Sequence, residues 1–167
     1  MSEAISIDDR LIAQAAALLE TCRARGVTLA IAESCTGGLA AATLTAVPGA
    51  SKVVERGFVT YSNAAKSELL GVPVWLIERH GAVSEDVARA MAGGALTHSR
   101  ASIAVAITGV AGPGGGTVEK PVGLVYTSCT GPSGTTVARG TFPGDRAAVR
   151  DYSVTRALHL LLECLET

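Results

Sequence analysis

Leu29-Ala30-Ile31-Ala32-Glu33-Ser34-Cys35-Thr36-Gly37-Gly38-Leu39 is the stretch that decides how this chain is read. Its apolar start, bounded by a small-residue turn, predicts a buried strand. The Ala- and Leu-rich run from 39 to 46 predicts a helix. Ser34 then stands where a strand ends and a helix begins. The free N–H groups of the first helical turn and the positive end of the helix dipole are exposed there. A hydroxyl in that place can attack a carbonyl while neighbouring N–H groups stabilise the developing oxyanion. Gly37 and Gly38 let the backbone approach a ligand closely. Taken alone, the hexapeptide 33–38 reads more simply as a serine helix cap followed by turn glycines, so the decision falls to the rest of the chain.

Working outward, Asp8 or Asp9 caps a helix that runs to Arg25 and stops at Gly26, with Leu11, Ile12, Ala15, Leu18, Leu19 and Cys22 on one face. Residues 53–62 predict a second strand, 63–70 a short helix ended by Gly71, and 73–80 a further helical turn. Ser84, followed by Glu85 and Asp86, caps a helix reaching Ser99. Residues 102–108 predict a third strand and 109–121 a glycine-rich loop. Residues 122–130 and 136–142 predict a hairpin around Pro132-Ser133-Gly134. A last helix starts near Asp145, with Val154, Leu158, Leu161, Leu162 and Leu165 on one face. Strands mixed with helices, plus one hairpin, predict an α/β fold: a three-layer α/β/α arrangement with a mixed sheet, in one domain over residues 1–167.

Composition removes several function classes. Only 17% of residues are charged and 48% are hydrophobic, which excludes a disordered chain. Aromatics at 4% argue against stacking on single-stranded nucleic acid, and a net charge of -1 without a basic run argues against duplex DNA. No apolar run is long enough to span a bilayer, and Met1-Ser2-Glu3-Ala4-Ile5 lacks the regions of a signal peptide, so a cytoplasmic location is expected. Cys22, Cys35, Cys129 and Cys164 form no C-x-x-C pair and no metal spacing, which predicts reduced thiols and no metal site. Cys35 reads first as a small packing residue beside Ser34. His80, His98 and His159 fall on or beside predicted helices, which speaks against a Ser-His-Asp triad.

Three further segments carry chemistry. In Tyr61-Ser62-Asn63-Ala64-Ala65-Lys66, a strand end and a helix start bring Tyr61 and Lys66 to the rim where Ser34 belongs. Ser, Tyr and Lys together can form a nucleophile-and-base set without histidine, once burial or a neighbouring cation lowers the lysine pKa. The loop holding Thr108, Gly109, Gly112, Gly114 and Gly115 has the composition of a phosphate loop but not its spacing. A strand follows it, so any anion there is held by a backbone nest. Arg146 falls in the first turn of the last helix, with Arg150 one turn later on the same side. A cation there opposes the helix dipole, a conflict that points to anion binding.

These segments, in this order, resemble the C-terminal domain of the CinA competence/damage-inducible proteins, the nicotinamide-nucleotide amidohydrolases. The matching runs include residues 32–38, 47–51, 61–63 with Lys66, 70–72, 80–84, 108–115, 119–123 and 144–146, and the resemblance spans about 11–165. It departs from the family pattern at Val118, where Pro is expected before Glu119. The resemblance implies hydrolysis of the carboxamide of nicotinamide mononucleotide (NMN) to nicotinate mononucleotide and ammonia, without a cofactor or metal. It implies a nucleophile at Ser34, assisted by Lys66 and Tyr61, with Thr108 and Arg146 in the pocket. Cys35, Thr36, Gly37, Gly109, Gly112, Gly114 and Gly115 are expected around the substrate. Many relatives carry an additional N-terminal nucleotide-pyrophosphatase-like domain; this chain has the look of the stand-alone form. The expected partner is a small nucleotide, with no nucleic acid and no membrane, and the expected assembly is a homo-oligomer. The competing expectation is a non-catalytic nucleotide-binding or protein-interaction module.

Overall fold

In a computed structural model describing residues 4 and 6–167, the sheet runs β2-β1-β3-β4-β5, with β1 at Leu29–Glu33, β2 at Val54–Val59, β3 at Ile103–Gly109, β4 at Leu124–Gly131 and β5 at Gly134–Thr141. Most of the N-terminal stretch read for signal-peptide features, residues 1–3 and 5, lies outside the described residues. β1 pairs in parallel with both β2 and β3, and β4 and β5 add antiparallel. The sheet is mixed, as the sequence predicts. β1 is buried along its whole length on both faces, which explains its unbroken apolar run.

Among the described residues six α-helices flank the sheet: α1 Asp9–Arg25, α2 Leu39–Thr45, α3 Asn63–Leu70, α4 Val74–His80, α5 Glu85–Thr97 and α6 Arg146–Glu166. Leu29 and Ile31 point into a core shared with α1, α2 and α6. Ala30 and Ala32 point the other way, into a core built with α3, α4 and α5. Two cores on opposite faces of one sheet make three layers. Asp8, Ser62 and Ser84 cap α1, α3 and α5 through their side chains, accepting from the N–H groups of Arg10, Ala65 and Val87.

The register places the functional rim. Parallel β1, β2 and β3 end at the same level: Glu33 faces Val59 on one side and Ile107 on the other. The Ser34 N–H donates to the Ile107 carbonyl (3.0 Å), and the Thr60 N–H to the Glu33 carbonyl (2.8 Å). The segments carrying Ser34, Tyr61 and Thr108 therefore leave the carboxyl ends of three adjacent strands, where open α/β sheets form their binding crevices. Strand β2 is shorter than the predicted 53–62, and Tyr61 lies two residues beyond its end.

No helix among the described residues is long and apolar enough to cross a membrane.

Candidate functional site

Ser34 follows β1 directly, and a tight turn separates it from α2. The Gly37 N–H donates to the Ser34 carbonyl (3.0 Å) and the Leu39 N–H to the Thr36 carbonyl (3.0 Å). Ser34 is not the helix cap. Gly38, at φ 102, holds the N-cap position, a backbone conformation that favours glycine. The first N–H groups of α2 are not open to a ligand either. The Glu33 carboxylate accepts from the Ala40 N–H (2.8 Å) and the Ala41 N–H (3.0 Å) and occupies the positive end of the helix. Strand alternation explains the division: Glu33 points to the α2 side of the sheet and Ser34 to the α3 side. The expectation that the α2 dipole serves Ser34 is corrected accordingly. The N–H next along the chain from the hydroxyl is that of Cys35, which lines the cleft.

Lys66, on the second turn of α3, meets Ser34. Its Nζ lies 2.9 Å from Ser34 Oγ, 2.9 Å from the Thr60 carbonyl oxygen and 3.3 Å from that of Tyr61. A charged amine donates to all three. A neutral amine donates to the two carbonyls and accepts the proton of the serine hydroxyl, so the same geometry serves both protonation states. Lys66 is 1% exposed. Desolvation holds its pKa below the ordinary lysine value, against a smaller upward pull from Cys35. A buried lysine without a carboxylate partner is costly for folding, and its lowered pKa suits it to proton transfer.

The other walls come from distant parts of the chain. A cleft of about 330 Å³ is lined by Ser34, Lys66, Tyr61, Asn63 and Thr108, by Cys35 and Arg146, by Ala82 and Val83 after α4, and by the loop after β3. From that loop it takes Gly109, Val110, Ala111, Gly112, Gly114 and Gly115. Gly112 has φ 80, and a Cβ there would come within 2.5 Å of Val122, so this glycine is required by the loop's own packing. The Thr108 hydroxyl donates to the Ala82 carbonyl (2.8 Å) and holds the α4–α5 connection against β3. Arg146 bridges the open side. It donates to the Gly112 carbonyl (2.8 Å) and to the Tyr61 hydroxyl (2.9 Å), leaving further N–H groups for a ligand. Its cost at a helix N-terminus is offset by Asp145, whose carboxylate accepts from the Ala148 N–H (2.9 Å).

The Tyr61 ring is 60% exposed and bonds Arg146, not Ser34 or Lys66; its backbone carbonyl is the part that meets the lysine. Thr36 is buried behind the turn, Gly37 is exposed on it, and neither lines the cleft. Burial pushes the Cys35 thiol up to about 11, so at neutral pH it is a protonated wall residue rather than a competing nucleophile. Among the described residues, no group of three or more His, Cys, Asp or Glu side chains gathers to hold a metal ion.

The sequence pattern of the CinA C-terminal domain matches residues 12–165. The chain belongs to this family. A CinA-like protein of Anaeromyxobacter sp. (strain K) is 55% identical over 138 residues, covering 83% of this chain and 34% of that protein. One from Mycolicibacterium vanbaalenii is 57% identical over 141 residues, covering 84% and 33%. The chain thus spans about a third of the length of the curated relatives it matches. Among solved structures, the competence/damage inducible protein CihA from Agrobacterium tumefaciens superposes with a TM-score of 0.88 at 42% identity, covering 100% of both chains. A CinA superfamily protein from Escherichia coli gives 0.89 at 35% identity, covering 98% of this chain and 95% of that one.

Within this CinA domain, sequence reasoning passed over the role of Glu33 as the α2 cap, the cleft position of Asn63, the apolar wall at 82–83 and 110–111, and the contact of Arg150 with the serine turn. Only Glu33 carried a local signal, an acidic residue shortly before a helix start. The others depend on contacts between segments far apart in the chain.

Proposed function

We propose that this domain hydrolyses the carboxamide of NMN, giving nicotinate mononucleotide and ammonia. The observation that carries the reading is the contact of 2.9 Å between Ser34 Oγ and the buried, desolvated Lys66 amine, facing a cleft. Neutral Lys66 takes the hydroxyl proton as Ser34 Oγ bonds to the carboxamide carbon. The carbonyl oxygen becomes an oxyanion, which the Cys35 N–H stabilises. When the tetrahedral intermediate collapses, the carbon–nitrogen bond breaks and the proton on Lys66 goes to the departing nitrogen, which leaves as ammonia. A water then attacks the acyl-enzyme, again losing its proton to Lys66. The ester bond breaks, Ser34 recovers its proton, and the carboxylate product departs.

The rest of the cleft fits the remainder of the molecule. Ala82, Val83, Val110 and Ala111 offer an apolar wall to a flat pyridinium ring. Arg146 and the glycine loop offer donors to a phosphate. The test is incubation of the purified chain with NMN, measuring ammonia and nicotinate mononucleotide together. Equimolar release that disappears in Ser34→Ala supports the reading; no release from the unaltered chain removes it.

A further inference from the structure

Arg150, one turn after Arg146 on α6, does not line the cleft. Its Nη2 donates to the Thr36 carbonyl at 2.8 Å, across 114 residues of sequence. The other end of that peptide unit is the Gly37 N–H, which donates to the Ser34 carbonyl at 3.0 Å. The other end of the Ser34 unit is the Cys35 N–H, the first amide after the hydroxyl, and Cys35 lines the cleft. We propose that Arg150 is a positioning residue for the oxyanion site, orienting and polarising the Cys35 N–H through two peptide units in series. This rests on the reading of Ser34 as nucleophile.

Bonds in series polarise one another, and a charged donor at the head of the series strengthens those that follow. The head of the series is shielded from water, because Thr36 is fully buried and the contact with Arg150 is partly buried, while Gly37 beyond it is exposed. The guanidinium lies against the turn backbone: a Cβ added at Gly37 would sit 3.9 Å from Arg150 Nη2. Holding the turn together is not its main task, since the Thr36 carbonyl also accepts from the Leu39 N–H and keeps a partner without Arg150. Two arginines one turn apart thus divide the work. Arg146 faces the ligand, and Arg150 sets the amide that the reacting carbonyl will meet.

The experiment compares Arg150→Gln and Arg150→Lys with the unaltered full chain. It measures steady-state kinetics on NMN and, separately, the rate at which Ser34 is phosphonylated by a fluorophosphonate probe, followed by intact mass. Arg150→Gln should lose about tenfold in kcat, less than the ~10²–10³ lost with a whole oxyanion donor, at unchanged KM. Arg150→Lys, which keeps the charge and one donor, should recover a large part of that loss, and phosphonylation should follow the same order. Unaltered kcat in Arg150→Gln, a loss in KM instead of kcat, or a lysine variant no better than glutamine overturns the proposal. If Arg150→Gln does not fold, the lysine variant decides alone: lower kcat at constant KM supports the proposal, and raised KM or unaltered kinetics overturns it. A chain that is phosphonylated at Ser34 but leaves NMN intact rejects the substrate, and the phosphonylation rates then judge Arg150.

Discussion

Replacing Glu33 by glutamine tests whether the residue before Ser34 holds the helix that follows. The carboxylate is 1% exposed and accepts from two N–H groups at 2.8 and 3.0 Å. A glutamine oxygen can keep one of them. Its NH2 group then faces the other N–H, donor to donor, and leaves a buried amide unsatisfied, which costs about 1–3 kcal/mol. The lost negative charge at the α2 N-terminus adds about 0.3–1 kcal/mol. The sum is about 1.3–4 kcal/mol. At the usual sensitivity for a chain of this length, Tm falls by roughly 3–15 °C. Thermal unfolding followed by circular dichroism, with both proteins in one buffer, measures this. Glu33→Ala should fall further, because both N–H groups lose their acceptor. A Glu33→Gln protein melting within about 1 °C of the parent would refute the capping role.

Turnover of NMN should rise with pH through a limb set by Lys66 and lying below the ordinary lysine value, because the base is active only when neutral and burial disfavours its charge. Stability has the same sign: the unfolded chain binds the lysine proton more readily, so the burial penalty is full below the folded pKa and is relieved as pH climbs towards the unfolded value. Lys66→Arg, which stays charged, should abolish turnover at every pH, and close to full activity in that variant would shift the base elsewhere. Arg146→Ala should weaken NMN by about 10–100-fold in kcat/KM, as expected for one charge-assisted contact, and nicotinamide riboside far less. Equal losses on the two substrates would reject a phosphate contact.

Local grammar carried much of the fold. Asp8 and Gly26 bound α1, Ser62 and Gly71 bound α3, and Ser84 opens α5, each through a cap written in adjacent residues. Alternation along β1 told Glu33 from Ser34, yet not what Glu33 would meet, because a carboxylate reaching forward to Ala40 skips the turn between them. The meeting of Ser34 with Lys66 was legible because both sit at the same rim of neighbouring parallel strands. The use of the Tyr61 hydroxyl was not, since its partner Arg146 lies 85 residues away on a helix from the opposite layer. Arg150 was hidden for the same reason. Its spacing from Arg146 gave a shared side of α6, while the carbonyl it reaches belongs to a turn that only the packed α6 brings near.

The central claim is that Ser34 forms a covalent acyl-enzyme with Lys66 as its base. The most direct measurement is rapid mixing of the chain with excess NMN, acid quench within the first turnover, and mass mapping of the peptide that contains Ser34. The predicted result is an ester-linked nicotinoyl nucleotide on Ser34, formed faster at higher pH and missing in Lys66→Arg. Release of ammonia from NMN with Ser34 unmodified at every quench time, and with turnover retained in Ser34→Ala, would contradict it and assign the chemistry to a directly activated water.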